Sequence, residues 1–177
     1  MSRSASALLF LFTLVIAQSC QSNRHANNYN KALVDDSGLL FIKSGEESTL
    51  ASVKASGLAI ANSKNQRVIQ FAKLMIDDHT MLADDFKKLR TDNFVADSVV
   101  ISPMHQQIIN DLDLKKAGAF DRAYIQLVIN DHAEQIALYK TTAKDRKNVS
   151  LADFATKMLP GLQAHLDTAK FIGTTLK

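Results

Sequence analysis

Two segments of this chain close on the same pair of reactive side chains. Leu74-Met75-Ile76-Asp77-Asp78-His79 recurs as Leu127-Val128-Ile129-Asn130-Asp131-His132, so an Asp-His pair ends an apolar run each time. At roughly 100° per residue, both histidines fall in the middle of an apolar helical face. His79 is flanked there by Val68, Ala72, Met75, Ala83 and Phe86, and His132 by Ile125, Val128, Ile129, Ile136 and Tyr139. Near the C-terminus His165 repeats the arrangement among Phe154, Met158, Leu162, Ala169 and Ile172. Three imidazoles from three helices, aimed into one core, form a donor set for a single zinc, copper, nickel or iron ion. The same three rings also suit a buried polar network, because a buried imidazole needs hydrogen-bond partners. Asp78, Asp131, Tyr124, Tyr139 and Glu46 are the partners within such a core. Asp78 and Asp131 stand about 100° around the helix from the histidine beside them, so each would orient an imidazole on a neighbouring helix.

Other chemistry is poorly served. A ferritin-type di-iron centre needs inward glutamates and two Glu-x-x-His motifs, and no Glu-x-x-His occurs in the chain. There is no Gly-rich phosphate loop and no Ser or Cys nucleophile beside an activating motif, so no catalytic residue is assigned. The paired carboxylates Glu46-Glu47, Asp77-Asp78 and Asp84-Asp85 are adjacent in sequence and therefore face different ways. Met75, Met81 and Met158 read as core fillers by their helical spacing. The formal charge of +3 is scattered, with no basic run interleaved with aromatics, which excludes nucleic acid as a partner.

The elements that must position the histidines are helices. With 177 residues, 46% hydrophobic, only two prolines and six glycines, the chain fits one well-filled all-α domain plus appendages. A first long helix is expected over about 37–62, capped by Asp35, Asp36 or Ser37, with Leu39, Ile42, Glu46, Leu50, Val53, Gly57 and Ile60 on one face. A second follows to about residue 90, with Ser63 and Gln66 reading as a capping box. Residues 91–101 form the longest irregular link, and Ser102-Pro103 opens a short helix to about residue 114. Gly118 marks a break before a third long helix over 119–143. Ser150, with Asp153 three residues on, caps a fourth running to about residue 173, in which Pro160 removes one backbone hydrogen bond. Four long helices with short first and last turns, and one long middle connection holding a short extra helix, describe a ferritin-like four-helix bundle.

The N-terminus lies outside that fold. Residues 1–19 combine Arg3 with an apolar stretch from Ala7 to Ala17, the pattern of a secretory signal peptide. Ala17-Gln18-Ser19-Cys20 resembles a bacterial lipobox, so Cys20 is the expected lipidation site and the membrane the expected partner through that anchor. Residues 20–35 read as a polar tether and 36–177 as the bundle. The protein partner is left open.

Three segments carry a family resemblance. They are Phe71 to His79, Gly118-Ala119-Phe120-Asp121-Arg122-Ala123-Tyr124 through Asp131-His132, and Leu159-Pro160-Gly161-Leu162-Gln163-Ala164-His165-Leu166. Together they resemble the DUF4142 family, exported bacterial proteins of ferritin-like helical architecture, often labelled outer membrane proteins, whose biochemical function is unassigned. The resemblance implies an exported protein of the bacterial cell envelope, as an outer-membrane lipoprotein or otherwise in the periplasm. Read without gaps, the glutamate usual in the family's first helix falls on Ser52. The expected role is a non-catalytic, envelope-associated binding module. The alternatives are a periplasm-facing metal-binding protein using His79, His132 and His165 and, further off, a ferritin-like oxidoreductase.

Overall fold

A computed structural model describes residues 32–96 and 98–176. The expected signal peptide, Cys20 and most of the tether lie outside the described residues. Within them the chain forms five helices and no strand: α1 (Asp36–Asn62), α2 (Gln66–Asp92), α3 (Pro103–Asp113), α4 (Ala117–Thr142) and α5 (Val149–Thr175). No helix among them is long and apolar enough to cross a membrane.

Local chemistry sets most of the boundaries. Asp35 caps α1 by accepting the Gly38 N–H, which satisfies one of the orphan donors of the first turn. Its carboxyl is held down to about 2, chiefly by the Ser37 hydroxyl and then by the Gly38 amide. Ser102 caps α3 by accepting from the His105 amide, with Pro103 at the first helical position. Two expected caps are replaced. Asn65, not Ser63, caps α2, because the Ser63 hydroxyl is taken by the Asn65 amide in the turn. Val149 starts α5 two residues early, after Asn148, whose amide donates to the Asp35 and Asp145 carboxylates and so ties the α4–α5 turn to the start of α1. The break before α4 falls on Ala117, which takes a φ of 48°, and not on Gly118. The end of the expected tether is docked: the Leu33 amide donates to the Asn93 carbonyl, and Val34 packs on the core.

The long helices pack mainly as the pairs α1–α2 and α4–α5, each joined by a short turn, while α1 also lies against α4. α3 bridges α1 and α4. Contact between α2 and α5 is far thinner than that within either pair. The buried side of α1 differs from the expected apolar stripe. Phe41, Ile42, Gly45, Glu46, Thr49, Ser52, Ser56 and Ala59 face inward, whereas Gly57 and Ile60 are exposed. Small residues win this face because α2 comes close enough to seat Phe86 against Gly45. Ser56 also faces inward, sharing a 2.8 Å hydrogen bond with the buried Tyr124 hydroxyl.

These contacts separate the core into two apolar clusters. One joins Met75, Val128 and Ala169, and the other Leu82, Ile136, Leu162 and Leu166. A β-carbon on Gly45 would collide with the Phe86 ring, whereas one on Gly57 meets nothing within 4 Å. Gly45→Ala should therefore cost about 1–3 kcal/mol through overpacking. Gly57→Ala should gain about 0.5–1 kcal/mol from helix propensity. Chemical denaturation of the two variants side by side measures both; equal effects would mean that α1 and α2 do not approach as described.

Candidate metal centre

Each histidine is placed by the cap and length of its own helix. His79 and His132 sit near the middles of α2 and α4, and His165 lies past the middle of α5. Neighbours one turn away on either side belong to the two apolar clusters, so the three rings occupy the layer between them. All three are buried. The Nε2 atoms of His79 and His132 stand 3.3 Å apart, and His132 Nε2 lies 3.4 Å from His165 Nδ1. One ligand nitrogen from each ring lies within 4.8 Å of the others. Among the described residues no other group of three histidines, cysteines or carboxylates is brought together this way.

The outward nitrogens fix the proton positions on two rings. His132 Nδ1 lies 3.1 Å from the Val128 carbonyl, which can only accept, so this nitrogen carries the hydrogen. His165 Nε2 lies 2.8 Å from Asp78 Oδ2, and by the same logic it donates to the carboxylate. In their neutral forms both rings then turn a lone pair inward, and the two lone pairs face each other. His79 Nε2 can donate a neutral hydrogen bond to His132, or a proton or a metal ion can fill the space between the lone pairs. Both separations lie within hydrogen-bond range. For two of the three ring pairs they also match the ligand spacing of about 3.3–3.4 Å around a tetrahedral centre with metal–nitrogen bonds of about 2.0–2.1 Å. A proton also joins only one pair of rings, whereas an ion serves all three.

Burial and electrostatics oppose protonation further. Burial, and then repulsion from His165, lowers the His132 pKa to about 4. His79 is pushed well below its usual value by burial first, then by His132 and His165. His79 Nδ1 is buried without a partner. The same ring borders a groove of about 280 Å³ between α2 and α5, which also touches His165, Asp78, Asp85, Met81 and Met158. The groove lies between two helices that make little contact with each other.

The remaining candidates go elsewhere. Asp78 reaches across to His165, from a different helix, while Asp131 turns toward α3. Burial raises the Asp131 pKa to about 6; His105 lowers it, and Glu134 and Glu47 raise it. Glu46 pairs with Arg90 at 3.1 Å. Tyr124 bonds Ser56, and the Tyr139 hydroxyl is buried without a partner. Glu47 and His105, neither of them a site candidate in the sequence, bond at 2.7 Å and pin α3 to α1. No sequence signal marks that pair, because it is a contact between distant helices with no motif of its own. Met81 is 61% exposed and so is no core filler, unlike Met75, which is wholly buried. Ser52 is buried on α1, and that helix adds no ligand to the cluster.

Fold and site together define an all-helical protein organised around three buried imidazoles. The chain belongs to the DUF4142 family: the family described as "Domain of unknown function (DUF4142)" matches residues 23–172, most of its length. No curated protein and no solved structure matches it significantly.

The lowered histidine pKa values have a consequence for the metal-free protein. An unfolded histidine takes up its proton near 6.5, whereas folded His132 does so only at about 4. Between these values the unfolded chain binds the additional proton, so stability is full above 6.5 and declines as the pH falls toward 4. Urea melts of chelator-treated protein at successive pH values should show a loss approaching about 1.4 kcal/mol per pH unit for each such histidine. A flat profile across that interval would mean the rings are not buried in neutral form.

Proposed function

We propose that this protein is a lipid-anchored module of the bacterial cell envelope that binds one transition-metal ion. His79 Nε2, His132 Nε2 and His165 Nδ1 would be the ligands, in a bundle of ferritin-like arrangement. The observation that carries this reading is the pair of 3.3 and 3.4 Å nitrogen separations. The outer nitrogens of His132 and His165 are already committed, to the Val128 carbonyl and the Asp78 carboxylate. Such outer partners orient metal-binding histidines and raise their basicity. Three ligands leave a fourth position, and the groove beside His79 and His165 gives it access. A donor set of imidazoles without a carboxylate does not suit ferritin-type di-iron chemistry, so binding is favoured over oxidoreductase activity.

Protein purified without a histidine tag should carry, or take up, one equivalent of metal by elemental analysis. His132→Ala should abolish that uptake. Saturating metal should also raise stability, by about 2.7 kcal/mol at a hundredfold excess over Kd. Failure to bind zinc, copper, nickel or iron would overturn the reading in favour of a purely structural network. In that case His132→Ala would act on stability alone, by about 1–3 kcal/mol.

Export and anchoring rest on the first twenty residues, where Arg3, the apolar stretch and Cys20 follow one another as in a lipoprotein signal. Two or more acyl chains on Cys20 would hold the domain stably at a membrane. Cys20→Ser should move the protein from the membrane pellet to the soluble fraction or leave its signal uncut. Unchanged pelleting of that variant would exclude the anchor.

A further inference from the structure

We propose that the ion is cuprous copper and that it enters through the α2–α5 groove, where Met81 and Met158 hold it on its way to the imidazoles. This rests on the three-histidine reading above and goes on to specify its metal and its route. The groove has one thioether on each of its two helices, Met81 from α2 and Met158 from α5. Met81 is 61% exposed at mid-helix, so packing does not account for it. Thioethers are soft donors that select Cu(I) and bind zinc, nickel or ferrous iron poorly. Asp78 and Asp85 border the same groove, and no lysine or arginine does, so its charge attracts a cation.

The interior favours the same ion. His79, 1% exposed, borders the groove and has a ring nitrogen without a partner. Imidazole suits copper among the first-row metals, so the interior accepts the ion that the thioethers select. Entry and binding are ligand exchanges at constant oxidation state, from thioether sulfur to imidazole nitrogen.

The test is anaerobic loading of the full chain from a Cu(I)–bathocuproine complex, with Zn(II) loading from a chromogenic chelator as the control. Wild type should take one Cu(I). The double variant Met81→Leu/Met158→Leu, which keeps side-chain volume, should load Cu(I) more slowly by about tenfold or more while loading Zn(II) at the wild-type rate. Equal Cu(I) rates in the two proteins, or an equal slowing of both metals, would overturn the proposal. Uptake of zinc without Cu(I) would overturn it and leave the three-histidine site standing. A protein that binds no metal at all would remove both.

Discussion

Burying imidazoles is the constraint from which the rest of this structure follows. A polar ring taken out of water costs free energy unless its nitrogens find partners. Here three rings share one layer, and their own nitrogens are among the few available. Apolar clusters above and below that layer leave no room for error in helix register. A slip of one residue along α2 or α4 would carry a histidine about 100° around the helix and place an aspartate near its position. The two Asp-His pairs therefore resist misregistration, since either carboxylate brought inward would be a charge without a partner.

The chain answers this constraint with side chains of very different size. Large rings fill one cluster, where Tyr139 meets Phe41 and Phe86 edge-on and those two meet at a tilt, at centroid distances of 5.0–6.3 Å. Gly45 supplies the space for Phe86, and the serines and alanines of α1 supply a close approach to its neighbours. An ion pair and a hydrogen bond outside the histidine layer reinforce the frame: Glu46 with Arg90 ties α1 to α2, and Glu47 with His105 ties α1 to α3. The first joins α1 to a helix that bears one of the three histidines, and the second joins two helices that bear none of them.

Much of this was legible in the chain, for reasons that differ by element. Helix existence came from periodicity, and the Ser102-Pro103 start of α3 from a cap that acts within four residues. The inward direction of His79, His132 and His165 came from the same periodicity, because a helix fixes angles over its whole length. The buried face of α1 did not. Its stripe of small and polar residues is inside only because another helix presses on it, and hydrophobicity alone points to Leu50, Val53 and Ile60 instead. Local competition likewise hid the caps of α2 and α5, where Ser63 and Asn148 spend their side chains on turns. The partner of Asp78 was expected on a neighbouring helix, but only three-dimensional placement distinguishes it from Asp131, whose charged neighbours are Glu47, His105 and Glu134.

The thin α2–α5 contact follows from the same placement. α1 and α4 touch each other and each holds its hairpin partner, so the bundle is already closed on three sides. The fourth side can stay open without losing the core. It is there that α5 carries Pro160 and Gly161, a residue without an amide hydrogen followed by one without a side chain. A β-carbon on Gly161 would meet nothing within 4 Å, and Gly161 borders the groove. Filling that side with ordinary leucines would bury more apolar surface and stabilise the bundle by about 25 cal/mol per Å². Beside Leu82 and Leu162, the chain places a glycine, two methionines and two aspartates around an approach to its imidazoles. The proposed metal site would use such an opening to exchange its ion, a need that a purely structural network does not have.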